Sequence, residues 1–387
     1  MHHQLNPSLI PTQRLVSLAV LLLGLSGCDS GGSGSFSLPV NQAPVASNSC
    51  AYASGVNQPF NGTLSATPAG QSLTYSIVGI ASKGSAQVTN PLTGEFTYTP
   101  NTNTRGTDTF TFRACEAAPS TVCSNVATYK IVHTPRVMPL GDSITEGVSN
   151  GETGGCTGAS PCPTLSERTS YRKNLRDALV AAGYTVDFVG TQVSGTALFS
   201  EDPQHEGHGG WTANQLVNGH SNPSSGTGTA NTGFLLNWLN GKKDTATAPD
   251  PANAGWPDVI LLHIGTNDLG PTGDQSNLWT DVQSIRDVIA TWGASNWPVT
   301  VIYSRIVNSN PAVVEFTNFN NNVINNLNPT IWVDHEAALN MSGFYGDGVH
   351  PNSSGYSTMA NVWLYPLAGM GTVSGNHSGP GILPKCP

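Results

Sequence analysis

The sequence predicts a small all-β sandwich followed by a larger α/β domain, built as a three-layer, doubly wound parallel sheet. The chain has 387 residues, which is long for one compact domain and sufficient for two. Its first folded part has segments of alternating polarity and no helical period. After Pro135, apolar runs of strand length alternate with segments of helix length. The apolar content of 38% is ample for a buried core.

The all-β domain is predicted over residues 43–134. Short segments in which apolar and polar residues alternate are separated by turn residues such as Pro91, Asn101 and Gly106, a pattern typical of a β-sandwich. These segments are 73–78, 94–99, 107–112 and 125–132.

The α/β domain is predicted over residues 135–372, and 373–387 is expected to be a C-terminal tail. Near-continuous apolar runs indicate strands that are covered on both faces, at 137–140, 186–189, 259–264, 299–303 and 331–333. Helical periodicity predicts helices over 168–182, 277–292, 312–327 and 354–367. Because ligands bind beyond the carboxyl ends of the strands in such sheets, we expect the functional site at that edge.

The N-terminus resembles an export signal. Arg14 precedes an apolar run over 15–25 that is too short to span a membrane, and the run ends in the lipobox-like sequence LSGC. We expect a signal peptide over 1–27, a lipid anchor on Cys28 and a flexible Gly/Ser tether over 28–42. The chain would then be an exported, membrane-anchored lipoprotein of the bacterial cell envelope. The alternative is an ordinary cleaved signal with a cysteine there by chance.

Six cysteines follow Cys28, and an even number in an exported chain predicts disulfides. The close pairs are Cys115–Cys123 and Cys156–Cys162. Cys50 and Cys386 remain, and nothing in the sequence brings these two together. The competing interpretation is a zinc site, but no pair has the C-x-x-C spacing.

Charge excludes one class of function. Only 10% of the residues are charged, the net charge is −9, and the 15 Lys and Arg residues form no cluster. Sequence-independent nucleic-acid binding needs a basic cluster, so we expect no nucleic-acid partner.

Four short motifs fall at the predicted strand ends or in the loops beside them. They are GDSITEG (141–147), HEGHGGWT (205–212), GTND (265–268) and DGVHP (347–351). The first places Ser143 on a tight turn, and the third directs the Asn267 amide toward the same crevice. In the last motif, a carboxylate three residues before an imidazole can orient it as a general base. Taken alone, GDSITEG, GTND and DGVHP are each better explained by a turn, a helix cap or a loop hydrogen bond.

Taken together, the motifs from Arg136 to Gly371 resemble those of SGNH (GDSL-type) hydrolases. GDSITEG, HEGHGGWT, LLHIGTNDL and DGVHPN, with SYRKNL and GYTVDFVGTQ, are similar in particular to family-three carbohydrate esterases, which are largely acetyl xylan esterases. The stretch FTYTPNTNTRGTDTFTFRAC resembles bacterial cadherin-like, immunoglobulin-like repeats. The resemblance implies an SGNH/flavodoxin-like fold for the α/β domain and a spacer or carbohydrate-binding role for the β domain.

Carried over by position, the resemblance implies that Ser143 is the nucleophile, His350 the general base and Asp347 the residue that orients it. Gly210 and Asn267 would complete an oxyanion hole with the Ser143 N–H. The implied function is deacetylation of O-acetylated carbohydrate, such as a xylan polymer or oligomer. The alternatives are a GDSL-type lipase acting on non-sugar esters, and a surface adhesin with a passenger hydrolase domain.

Other residues in these motifs are weaker candidates. Trp211, His208 and Asp142 are candidates for substrate contact, and each is also a candidate for holding a loop, which is the interpretation that we favour for Asp142. We expect no cofactor and no metal, because the HEGH sequence lacks the i, i+4 histidine spacing of metalloproteases. The sequence leaves the oligomeric state open.

Overall fold

The computed structural model describes residues 42–387 except 56, 69–71, 119–121, 149–162, 220–233, 243–255, 270–277, 309–313, 341–342 and 345–347. The predictions for Cys28, for the Cys156–Cys162 pair and for Asp347 lie outside the described residues, as does nearly all of the predicted signal and tether. None of the helices within the described residues has the length and apolar character required to cross a membrane.

The N-terminal domain is a β-sandwich, as predicted. One sheet has the order β2-β9-β8-β5 and the other β3-β7-β6, while β1 and β4 form a small separate pair. The strands are β1 (Val45–Ala46), β2 (Ser49–Ala53), β3 (Phe60–Thr63), β4 (Ala66–Thr67), β5 (Leu73–Gly79), β6 (Gly84–Asn90), β7 (Glu95–Pro100), β8 (Thr107–Glu116) and β9 (Ala127–His133). Side chains from both sheets fill the core, where Phe110 stacks on Tyr129 at 5.4 Å between ring centroids and Phe96 packs edge-on at 4.8 Å from Tyr129.

The C-terminal domain is built on a mainly parallel sheet of order β12-β13-β10-β14-β15-β16, in which β11 pairs with the start of β10. Among the described strands of this sheet, β12 at the edge is the one that runs antiparallel to its neighbour. The strands are β10 (Arg136–Gly141), β11 (Asp187–Phe188), β12 (Gln192–Val193), β13 (Gln204–Gly207), β14 (Val259–His263), β15 (Thr300–Arg305) and β16 (Ile331–Asp334).

Helices cover both faces of this sheet, which confirms the three-layer prediction. They are α1 (Ser143–Glu146), α2 (Arg172–Ala181), α3 (Ala213–Asn218), α4 (Phe234–Leu239), α5 (Leu278–Ser295), α6 (Val314–Leu327), α7 (His335–Ala338) and α8 (Ser353–Ala368). Alternate residues of a strand point to opposite faces. Accordingly Val259 and Leu261 of β14 pack in the core under α2 and α8, whereas Ile260 and Leu262 pack under α3–α6.

Residues 373–387, predicted only as a tail, pack on the α/β domain. Leu383 is buried in the core, and its N–H donates to the Leu367 carbonyl oxygen at 3.0 Å. Cys386 then forms a disulfide with Cys50 of β2 across a sequence separation of 336 residues. The tail therefore joins the two domains covalently. The second disulfide, Cys115–Cys123, is the short-range pair that the spacing predicted.

The two domains also meet where the parallel strands begin. Arg105 of the sandwich forms an ion pair with Asp258 at 3.3 Å and lies 4.1 Å over the Trp297 ring. Asp258 directly precedes β14 and also accepts a hydrogen bond from the N–H of Arg136, the first residue of β10. This contact lies at the amino ends of the strands, opposite the edge where the motifs emerge.

Candidate active site

The register of three neighbouring strands brings three of the four motifs to one edge of the sheet. Gly141, at the end of β10, pairs with Gly207 of β13 on one side and with His263 of β14 on the other. Ser143 follows Gly141 by two residues, and the Gly209-Gly210 pair and Asn267 follow the neighbouring strand ends. Since these strands are parallel, all three loops leave from the same edge.

Ser143 begins the one-turn helix α1. Asp142 caps this helix by accepting the Ile144 N–H at 3.0 Å, and Gly147 ends it in the left-handed conformation at φ 95°. The Ser143 side chain is largely buried, and its Oγ lies 2.9 Å from Nε2 of His350. The structure thus joins two residues that are 207 positions apart in the sequence.

His350 lies on the turn before α8, and this turn is fixed by the start of that helix. Asn352 accepts hydrogen bonds from the N–H groups of Ser354 and Gly355, at 2.9 and 3.0 Å. The Asn352 side-chain amide also donates to the Phe344 carbonyl oxygen at 3.1 Å. The imidazole therefore stands on a segment whose backbone is fixed by the cap.

Two glycines allow the strands and α1 to approach each other. A Cβ on Gly141 would lie 2.1 Å from the His263 carbonyl oxygen, and one on Gly207 would lie 2.5 Å from the Glu146 nitrogen. Backbone atoms cannot give way as a flexible side chain does, so any larger residue would displace α1 and Ser143 with it.

Glu146, at the end of α1, fixes the loop that contains Gly209 and Gly210. Its Oε2 accepts the Gly209 N–H at 2.9 Å, and its Oε1 accepts Nη1 of Arg168 at 2.6 Å. Gly210 follows in the left-handed region at φ 80°. Within the described part of the chain the Gly210 N–H donates no hydrogen bond, whereas that of Gly209 is engaged.

The Asn267 turn is fixed to the same loop from the other side. Nδ2 of Asn267 donates to the Trp211 carbonyl oxygen at 2.8 Å. Both carboxylate oxygens of Asp268 accept the Ala213 N–H at 3.1 Å, at the start of α3. Burial raises the pKa of Asp268 to about 6, opposed by this hydrogen bond.

Helix α2 packs against the loop that contains Ser143. Arg172 is fully buried and donates to the carbonyl oxygens of Thr145 and Arg168, at 3.2 and 2.7 Å, and to the Ser194 hydroxyl at 2.7 Å. The Tyr171 hydroxyl lies 3.3 Å from that of Thr145. Burial lowers the pKa of Arg172 to about 10, which leaves the guanidinium charged at neutral pH.

The side chains of Trp211, His208 and Asp142, which the sequence offers as substrate contacts or loop anchors, are 1%, 5% and 0% exposed, and this burial favours the loop-anchor interpretation. The His208 ring is sandwiched between Trp211 and Trp238, at 4.5 and 4.3 Å between centroids. Asp142 caps α1, and burial raises its pKa to about 7 although its carboxylate accepts the Ile144 N–H. All three residues hold loops in place.

The HEGH residues are engaged in protein contacts. His205 Nδ1 accepts the Gly207 N–H at 3.0 Å while its Nε2 contacts the Ser194 hydroxyl at 2.8 Å. Glu206 accepts the N–H and hydroxyl of Thr191, at 2.7 and 2.9 Å, and contacts His208 Nε2 at 2.7 Å. Among the described residues no cluster of three His, Cys, Asp or Glu side chains is arranged to hold a metal ion.

Comparison with protein families identifies both domains. Residues 41–128 match the bacterial Ig domain, and residues 137–363 match the GDSL-like lipase/acylhydrolase model. The second match covers more than half of the chain. The chain belongs to the GDSL-like lipase/acylhydrolase family. Its α/β domain is therefore an ester hydrolase domain of the GDSL type, as the motifs predicted.

Individual relatives are similar over more than half of the chain. A multidomain esterase of Ruminococcus flavefaciens is 29% identical over 260 residues, which are 61% of this chain and 29% of that protein. The chain thus spans less than a third of this curated relative. A family 3 carbohydrate esterase of Clostridium thermocellum is 28% identical with a TM-score of 0.42, covering 60% of this chain and 94% of that one. An acetyl xylan esterase of Butyrivibrio proteoclasticus is 15% identical with a TM-score of 0.33, covering 80% and 86%.

Proposed function

We propose that the α/β domain is a serine esterase that removes acetyl groups from O-acetylated carbohydrate of the xylan type. The observation that carries the proposal is the 2.9 Å separation between Ser143 Oγ and His350 Nε2. A hydroxyl within hydrogen-bond reach of an imidazole is the arrangement that activates a serine nucleophile. Asp347, three residues before His350, is assigned as the group that orients the imidazole through Nδ1.

The reaction proceeds in two displacements. Ser143 Oγ attacks the acetyl carbonyl carbon and transfers its proton to His350 Nε2. The tetrahedral intermediate collapses, the C–O bond to the sugar breaks, and His350 protonates the departing sugar oxygen. Water, deprotonated by His350, then attacks the acetyl-serine, and acetate leaves as the proton returns to Ser143.

Three donors are proposed to stabilise the oxyanion: the N–H groups of Ser143 and Gly210, and the Asn267 amide. The Ser143 N–H belongs to the first turn of α1, where helical N–H groups have no partner within the helix. Gly209 is excluded as a donor because Glu146 accepts its N–H. One hydrogen of the Asn267 amide is bound by Trp211, which fixes the group while the second hydrogen serves the oxyanion. Such fixed donors supply much of the rate enhancement in acyl transfer.

The proposed location is the cell envelope, with the chain exported and anchored through a lipid on Cys28. The Gly/Ser tether and the immunoglobulin-like domain would then hold the esterase away from the membrane and within reach of a polysaccharide. This proposal rests on the LSGC sequence after an apolar run that is too short to span a bilayer.

Acetate release from acetylated xylan tests the function directly. We expect release by the wild type and a loss of about 10³-fold or more in Ser143→Ala, because the nucleophile is removed. On p-nitrophenyl esters we expect acetate to be preferred to long acyl chains. A preference for long chains would indicate a lipase, and no hydrolysis of any ester would support the adhesin alternative.

A further inference from the structure

A groove of about 280 Å³ opens between α5 and α6, next to the Asn267 turn. Leu269, two residues after Asn267, lines it, and Phe319 of α6 forms part of its wall. Gly265, on the same turn as Asn267, packs against Phe319 so closely that a Cβ there would lie 2.5 Å from the ring. The groove is therefore adjacent to the proposed oxyanion hole.

The wall formed by α6 presents unused polar groups. Glu315, Asn318 and Asn322 line the groove at i, i+3 and i+7, which places them on one face of the helix. None of these three side chains forms a hydrogen bond with another described residue. By contrast Asn320 on the same helix donates to Ile306 and to Glu336, both at 3.0 Å.

Helix propensity does not explain these asparagines. Asn is a weak helix former because its amide competes for backbone hydrogen bonds, so an exposed helix face is better served by Glu, Lys or Gln. Two asparagines one turn apart, each with free donors and acceptors, are suited to bind a ligand with several hydroxyl groups.

The opposite wall is aromatic. Trp279, on the first turn of α5, lines the groove and is partly exposed. A tryptophan ring offers a flat apolar surface, and the amides and the carboxylate across from it offer hydrogen bonds. This pairing matches a sugar ring, which has an apolar C–H face and polar hydroxyl edges. The described residues that line the groove include no basic side chain, so they offer no counter-charge to an anionic ligand.

We propose that this groove is a sugar subsite, which holds a neutral pyranose unit of the glycan beside the unit whose acetyl group is cleaved. The proposal rests on the proposed carbohydrate esterase function and specifies where that substrate is held. In this subsite the side-chain amides of Asn318 and Asn322 form hydrogen bonds with sugar hydroxyl groups. The Glu315 carboxylate accepts hydrogen bonds from two neighbouring hydroxyl groups, and the Trp279 ring stacks on the sugar ring.

The test compares a substrate that reaches the groove with one that does not. For each variant the ratio of kcat/KM on acetylated xylo-oligosaccharide to kcat/KM on p-nitrophenyl acetate is measured. In the double variant Asn318→Ala/Asn322→Ala we expect this ratio to fall at least about tenfold, since two hydroxyl contacts are lost. The variant should fold, because Ala favours the helix. Asn325→Ala, exposed on the same helix but outside the groove, is the matched control and should keep the wild-type ratio.

A wild-type ratio in the double variant would overturn the proposal, as would an equal fall in Asn325→Ala. If the wild type hydrolyses no acetyl ester, the proposed function fails, and the groove is then tested by titration with unacetylated xylohexaose followed by tryptophan fluorescence. Saturable binding that is lost in the double variant would support the groove as a sugar site. Absence of binding by the wild type would overturn it.

Discussion

Glu146 couples the position of the proposed nucleophile to that of the proposed oxyanion hole, and its removal is the most direct test of this arrangement. The carboxylate accepts the Gly209 N–H at 2.9 Å and the Arg168 guanidinium at 2.6 Å. A hydrogen bond to a charged group contributes about 1.5–3 kcal/mol. If Gly210 is misplaced when this bond is lost, kcat of Glu146→Ala should fall about 10- to 100-fold, since 1.4 kcal/mol corresponds to a factor of ten.

The assay is steady-state hydrolysis of p-nitrophenyl acetate, with KM measured beside kcat. We expect KM to change less than about threefold, because the oxyanion forms only in the transition state. Glu146→Gln keeps an oxygen acceptor for Gly209 and should recover part of kcat. Glu201→Ala, which removes an exposed glutamate outside this contact, is the control and should leave kcat unchanged.

Loss of the Arg168 ion pair gives a second, separable effect. Arg168 is 6% exposed, so removing its partner should lower the melting temperature as well. A lowered melting temperature with unchanged kcat would refute the coupling and leave Glu146 with a purely structural role.

Three further predictions address the oxyanion hole, the disulfides and the buried His263. Asn267→Ala should lower kcat about 10²-fold with little change in KM, and unchanged kinetics would remove Asn267 from the hole. Loop entropy predicts that the double variant Cys50→Ser/Cys386→Ser lowers the free energy of unfolding in urea by about 3 kcal/mol more than removal of the Cys115–Cys123 disulfide, whose cysteines are 8 residues apart. Equal losses in the two variants would contradict this. Burial lowers the pKa of His263 to about 3 from 6.5, so its contribution to stability is present above pH 6.5 and is lost as the pH falls toward 3. Relative to His263→Asn, the wild type should lose about 1.4 kcal/mol of unfolding free energy per pH unit in that range, and parallel pH curves would contradict the assignment.

The strands of the α/β core were predictable because both of their faces are covered. A central strand such as β14 reads as a continuous apolar run, and the structure places it at Val259–His263, within one residue of the prediction. Strand β13 gave no such signal. Its sequence, QHEG, is polar, yet His205 and Glu206 are buried, because Ser194 and Thr191 supply their hydrogen bonds.

Contacts between residues that are far apart in the sequence were predictable only where both residues lie in a recognisable motif. Ser143 and His350 are recognisable because each lies in a distinctive sequence, and the structure brings the two side chains together. Glu146 has no comparable signal, since its role depends on a backbone N–H 63 residues away. Cys50 and Cys386 likewise depend on the path of the last residues, which have no periodic pattern.

The site and the immunoglobulin-like domain lie at opposite ends of the same strands. Arg105 contacts Asp258 just before β14, whereas Ser143 and Asn267 follow the strand ends. Six residues of β10 separate these two edges, and a strand rises about 3.3 Å per residue, so the distance is about 20 Å. A side chain cannot reach across that distance. Arg105 therefore does not contact the groups that are proposed to react, and its ion pair with Asp258 joins the two domains at the opposite edge of the sheet.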